Sequence, residues 1–179
     1  MKLLPLSTDP VTAPTDRDML PSERREFVRT HRTCVFGYAR RSDGPAMSIV
    51  YYVCDGDDIL IATMAARAKA KAVARLGEAS LCVLDEKWPM TYVQVFGPTV
   101  VDRDFGKTVD VMKKVGEIMS GNPIPDEVRP VIEDMARRED RVLLRMKPEW
   151  TVYTPPVHLS AGDDGSKLRH GLAERLPWR

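Results

Sequence analysis

The sequence predicts a mainly β domain, a small antiparallel barrel of six strands with peripheral helices packed outside it. Three observations predict it. Short runs rich in β-branched and aromatic residues recur at 33–39, 47–54, 59–63, 79–84, 91–101 and 141–146, the last continuing through 150–153. Gly, Pro and Asp chemistry separates most of them. One short helical segment interrupts the series after the third strand, which argues a closed antiparallel sheet rather than alternating βαβ units.

Each element follows in order. Residues 1–21 hold four prolines among small polar residues and read as a flexible N-terminal arm. Pro21-Ser22-Glu23 is a helix entry, with Phe27 and Val28 supplying a short apolar face to about Thr30. The run 33–39 ends in Arg40-Arg41-Ser42-Asp43-Gly44-Pro45, a turn. Residues 47–54 (MSIVYYVC) return through Asp55-Gly56-Asp57-Asp58 into 59–63 (ILIAT), a hairpin. Residues 65–76 (AARAKAKAVARL) lack Gly and Pro and form a helix. Strands at 79–84 and 91–101 follow, and Gly97-Pro98 inside the second marks a bulge or a bend at a barrel corner. Helices at 105–119 and 127–138 precede the closing strand. The domain therefore spans 22–156, and 157–179 reads as a flexible C-terminal tail.

Composition narrows the function classes. A net charge of +1, from 27 Lys and Arg against 26 Asp and Glu, gives no basic field for nucleic acid. Cys34, Cys54 and Cys82 sit singly in apolar runs, which suits core packing in a reducing compartment and neither disulfides nor a metal site. The N-terminal residues lack the apolar stretch of about 7–15 that a secretory signal needs. A cytoplasmic protein without a membrane partner is expected.

Chemistry concentrates at 63–71 (TMAARAKAK), where a strand passes into a helix. Free N–H groups and the positive end of the helix dipole make such a place an anion site. Arg67 and Lys69 occupy the first turn, where basic side chains do not compensate the dipole, and an anionic ligand would remove that conflict. A solvated basic face on an alanine-rich helix explains the same residues equally well, since Arg75 continues the basic character. Trp88 and Tyr92 stand where an aromatic could flank a planar ring, or staple a hairpin. His31, His158 and His170 are scattered, and no HExxH, P-loop or GxGxxG motif occurs. Any chemistry would be a cofactor's, oriented by the protein.

Taken in order, the Asp-Gly turn after the first strand, Ser-Ile-Val-Tyr-Tyr at 48–52, the hairpin into Thr63, Arg67-Ala68-Lys69 at the helix start, YVQVFG at 92–97 and Arg141-Val142-Leu143-Leu144 resemble the pyridoxamine 5'-phosphate oxidase-like split-barrel superfamily. Within it the chain is most similar to the flavin and deazaflavin (coenzyme F420-dependent) oxidoreductases. The resemblance implies a six-stranded split barrel and a homodimer with cofactor at the subunit interface. It casts Arg67 and Lys69 as phosphate ligands, Thr63 as a neighbouring hydroxyl, and Ser48, Ile49 and Val50 as the ring platform, with Trp88 and Tyr92 coming from the second chain. The Asp43-Gly44-Pro45 turn is one residue shorter than the family's usual form. Residues 47–54 carry no charge, unlike the basic strand with which pyridoxamine phosphate oxidases hold FMN.

The resemblance therefore points to an oxidoreductase that uses F420 to pass a hydride to an unsaturated or quinone-like small molecule. An FMN-dependent oxidoreductase and a non-catalytic flavin- or haem-binding protein are the alternatives. No catalytic residue is assigned; Tyr51, Tyr52 and Tyr92 are the nearest titratable groups.

Overall fold

The computed structural model describes residues 19–85, 91–154 and 175–179. Helix α1 (Pro21–Thr30) begins with proline at its first position and with the Glu23 carboxylate accepting the Leu20 N–H at 2.7 Å. Strands β1 (Thr33–Tyr38) and β2 (Ala46–Tyr51) pair antiparallel, with Cys34 opposite Val50 and Phe36 opposite Ser48. A second hairpin, β3 (Val53–Asp55) into β4 (Asp58–Met64), turns at Gly56 with φ of 62°.

The single strand expected over 47–54 is thus two, and Tyr52 is the break. Its N–H donates to the Arg32 carbonyl at 3.3 Å, its phenol donates to the Val28 carbonyl, and its ring is buried. The chain leaves one part of the sheet and enters another at this residue.

Helix α2 (Ala68–Leu76) ends at Gly77, whose φ of 71° allows the turn into β5 (Glu78–Asp85). Strand β6 (Thr91–Asp102), helix α3 (Phe105–Ser120), a short 3-10 turn and helix α4 (Arg129–Arg138) follow. Strands β7 (Arg141–Met146), β8 (Trp150–Thr154) and the two-residue β9 (Leu176–Pro177) complete the chain. The strands run β2-β1-β5-β6-β7-β4-β3, with β8 on β6 and β9 on β8. The expected antiparallel split barrel is present, as a curled sheet that forms a half-barrel. Its strand count rises because Tyr52 divides one expected strand, residues 147–149 divide another, and β9 is added.

Strand β6 holds the two parts of the sheet together. Residues up to Pro98 pair with β5, and Tyr92 to Phe96 also pair with β8 on the other edge. Thr99 to Asp102 pair with β7 instead. The bend falls at Gly97-Pro98, as the sequence predicts. There the Lys147 N–H donates to the Pro98 carbonyl and the Glu149 N–H to the Phe96 carbonyl, both at 2.9 Å. Inside the curl, Phe36, Leu81, Val93 and Val95 meet Ile59 and Leu144, and α2 contributes Ala70 and Val73.

The C-terminal expectation needs correction. Leu176 and Pro177 pair with Thr151 and Trp150, and Trp178 is only 4% exposed. The Arg24 guanidinium donates to the Met19 and Pro177 carbonyls at 2.6 and 2.8 Å, and Arg25 donates to the Trp178 carbonyl at 2.8 Å. Residues 175–179 belong to the body because a large aromatic fills the core and two arginines satisfy the returning backbone. The remainder of the expected tail, 157–174, and residues 1–18 of the arm lie outside the described residues.

A methyl group at Gly97 would stand 2.0 Å from the Lys147 carbonyl oxygen and 3.2 Å from the Glu149 nitrogen, both backbone atoms that no rotamer change moves. Gly97→Ala is expected to cost about 3 kcal/mol or more, or to prevent folding. Gly44→Ala, with nothing within 4 Å, is expected to be neutral. Urea midpoints of the two variants check this, and equal midpoints would dismiss the close approach.

Candidate functional site

The site begins at the corner between β4 and α2. Strand β4 is fixed by six residue pairs with β7, ending at Thr63 opposite Val142 and Met64 opposite Arg141. The Ala65 N–H then donates to the Asp140 carbonyl at 2.9 Å, and the Arg67 N–H to the Met64 carbonyl at 3.0 Å. This tight exit places Arg67 at the N-cap with extended backbone angles and no side-chain cap. The first bond into the helix is Lys71 N–H to Arg67 carbonyl at 3.2 Å, so the amides of Ala68, Lys69 and Ala70 have no partner within the helix.

No acidic residue lies in the first turn of α2. Among the described residues, Arg67 and Lys69 form no side-chain hydrogen bond or ion pair. Arg67 is exposed and Lys69 half-buried. Burial, and then the neighbouring Arg67 charge, pull the Lys69 ammonium below the ordinary lysine range; the Cys34 thiol opposes them weakly. Two cations and three free amides therefore converge on one helix end without a counter-charge among the described residues. That donor set suits an anionic group such as a phosphate.

The expected ring platform lies on β2, at one end of the sheet order. Ile49 points to the outer face and is 78% exposed, while Ser48 and Val50 point inward and are half-buried. The Ser48 hydroxyl oxygen is buried and has no hydrogen-bond partner among the described residues, a polar atom that a ligand could satisfy. Val50 pairs with Cys34, which shares a core cluster with Ala70 and Val73 of α2, so β1 connects the platform strand to that helix. Thr63 is buried on the same face of β4 as Ile59 and Ile61.

Not every expected residue joins this group. Tyr92 is half-buried on β6, opposite Leu84 and Thr154. It is three strands from β2 in the sheet order, or about 14 Å at the usual strand spacing. It does not share the site of its own chain. Trp88 lies outside the described residues. Tyr52 is set apart as a structural group, since burial raises its phenol pKa and the hydroxyl is committed to Val28. The thiols are also poor nucleophiles: burial pushes Cys34 up to about 12 and Cys54 up to about 11.

The sequence reading did not reach the outer face of the sheet. Met47 (71% exposed), Phe96 and Trp150 lie there around a recess of about 700 Å³ that also touches Gly37 and Ser80, and Ile49 is exposed on the same face. Strict alternation in 47–51 (MSIVY) carries this signal, because its outward positions are as apolar as its inward ones.

Removing the Lys69 charge should stabilise the ligand-free protein. With the folded-state pKa below the unfolded value, the penalty is complete at neutral pH. It fades as pH rises through the interval between the two values. Lys69→Met is expected to melt higher than wild type at pH 7, with the difference shrinking at alkaline pH, and melting curves across that range check it. A lower melting temperature at pH 7 would mean that Lys69 is a structural cation.

Residues 20–154 match the family model described as pyridoxamine 5'-phosphate oxidase. No curated protein matches. Among solved structures, the chain is similar to a conserved hypothetical protein of Mycobacterium tuberculosis at 22% identity and a TM-score of 0.68, covering 82% of this chain and 94% of that one. It is also similar to an F420 reductase, at 16% identity and a TM-score of 0.55, covering 71% and 94%. A third is HutZ, the haem storage protein of Vibrio cholerae, at 15% identity and a TM-score of 0.52, covering 72% and 89%. At these identities the structural likeness concerns the fold alone.

Proposed function

This chain belongs to the pyridoxamine 5'-phosphate oxidase family, and from that premise we propose that it is an oxidoreductase using the deazaflavin coenzyme F420. Its substrate class is an unsaturated or quinone-like organic molecule. The observation that carries the reading is the corner at α2, where Arg67 and Lys69 stand beside three amides without a partner among the described residues and without a carboxylate in the first turn. The uncharged β2 favours the deazaflavin over FMN, since a strand without Arg or Lys leaves the phosphate to the α2 corner alone. An F420 reductase shares this fold.

When bound, the deazaflavin supplies the hydride. The chain's own part is binding and orientation. Arg67 and Lys69 hold the phosphate, Thr63 stands beside it, and the β2 backbone at Ser48, Ile49 and Val50 is the platform against which a planar ring rests. Removal of water from that face strengthens each charge-assisted contact. No side chain is assigned the product's proton, which water can supply.

A second copy completes the site in this proposal, bringing its own Trp88 and Tyr92 against the ring. Support comes from the outer face of the sheet, where Met47, Ile49 and Trp150 leave an apolar surface uncovered in one chain. Ile49→Glu is expected to shift the protein to monomer in sedimentation and to lose cofactor affinity together with dimerisation. A monomeric variant that binds with wild-type affinity would remove the second chain from the site.

Titration of F420 and FMN against single variants tests the cofactor reading. Arg67→Ala and Lys69→Ala should each weaken binding about ten- to a hundredfold, the range for losing one charge-assisted hydrogen bond of about 1.5–3 kcal/mol. Lys71→Ala, exposed and one turn further on, should change little. Arg75 is unsuitable as a control because its guanidinium donates to the Ala39 carbonyl at 3.0 Å. Equal small losses at all three positions, erased by salt, would return the segment to an ordinary basic face, and tighter binding of FMN would transfer the site to the flavin.

A further inference from the structure

We infer that the protein carries a second anion-binding pocket, at the opposite end of β4 from the α2 corner, for a small organic anion with an apolar body. It is independent of the function proposed above. The pocket has a volume of about 620 Å³ and lies between the end of α1, the start of β3 and helix α3. Gly56, in the hairpin that opens β4, lines it. Strand β4 then runs seven residues to Met64, a length of about 20 Å. None of its lining residues belongs to the α2 site.

Charge is the main argument. Arg29, Arg32 and Lys114 line the pocket, and among the described residues no Asp or Glu does, in a chain whose net charge is only +1. The nearby carboxylates do not balance them. Asp57 is shared between Arg29, at 3.0 Å, and Arg179. Glu117 lies 3.4 Å from Lys114, and Asp85 lies 4.0 Å from the His31 ring. Arg32 is exposed and forms no side-chain hydrogen bond or ion pair among the described residues. An anion between Arg32 and Lys114 would relieve this local excess.

The remaining walls select an organic anion over a bare inorganic one. Val53 and Ile118 line the pocket together with Tyr52, whose phenol is already committed to Val28. The Cys54 thiol, held neutral by burial, adds no negative charge. His31 stacks on Phe27 with ring centroids 4.1 Å apart, and its Nδ1 lies 2.6 Å from the Phe27 carbonyl oxygen. Its ring is therefore fixed in the wall and reports on whatever enters.

The His31 ring signal in the NMR spectrum of the full-length protein tests the pocket directly, assigned by its loss in His31→Gln. Phenyl phosphate and benzoate are titrated separately at about 0.15 M salt, which distinguishes a phosphate monoester from a carboxylate as the preferred head. A saturable shift with at least one of them is expected. Arg32→Gln and Lys114→Gln should each weaken it at least tenfold, and Lys69→Ala should leave it unchanged. Absence of a saturable shift with both ligands overturns the pocket, as does an unchanged affinity in Arg32→Gln and Lys114→Gln. Loss of the shift in Lys69→Ala would instead place the anion at the α2 corner, and that too overturns it.

Discussion

The fold depends on how closely two backbones approach at Gly97. Strand β6 is paired with β5 and β8 before this residue and with β7 after it, so it must change direction within one strand. The return from β7 to β8 presses the Lys147 carbonyl into the space a side chain would occupy. Two backbone hydrogen bonds, to the carbonyls of Phe96 and Pro98, hold it there. Pro98 suits the place because it has no N–H to leave unpaired at the corner. Without the bend, β7 and β4 would not curl back over the inner face. The exit from β4 into α2 would then have nothing to fix it.

That exit leaves an electrostatically unfavourable arrangement. A cation in the first turn of a helix costs about 0.3–1 kcal/mol against the dipole, and Lys69 is also partly removed from water. Nothing in the local structure compensates: the Arg67 side chain does not cap, and the first turn holds no acid. An unrelieved conflict of this kind is uncommon in a segment that only has to be a helix. A bound anion reverses the sign of every term at once, since dipole, ammonium and guanidinium all favour negative charge. This is why the corner, rather than the basic composition of α2 as a whole, carries the functional reading.

Much of the fold was legible because it is local. The helix entry at Pro21, the turn at Gly56, the bend at Gly97-Pro98 and the strand 141–146 are all written in residues that act on their own backbone. What was not legible is tertiary. Tyr52 reads as one more strand residue until its phenol is seen to reach Val28 on α1. Nothing in the sequence singles out Arg24, yet it is 3% exposed and donates to the Met19 and Pro177 carbonyls. Trp178 reads as part of a tail because no periodic pattern surrounds it, and a single buried aromatic needs none. At the site, sequence alone marked Arg67 and Lys69. It gave no sign of the partnerless Ser48 hydroxyl, because that property depends on what fails to surround the atom.

The alternation in β2 brings these threads together. A half-buried strand ordinarily puts apolar residues on one face and polar residues on the other. In β2 the two faces divide otherwise: Ser48 and Val50 point inward, while Met47 and Ile49 point outward and are the more exposed. Slipping the register by one residue would exchange an apolar pair for a pair containing a hydroxyl, so burial alone specifies the register weakly. Its pairing with β1 over six residues fixes it instead, and the tether at Tyr52 pins the end. The strand is thus held by its backbone and by the residue that follows it, which leaves its side chains free of the task of specifying the fold. Side chains under that freedom can be chosen for what they present, an apolar surface outward and, among the described residues, an unsatisfied hydroxyl inward.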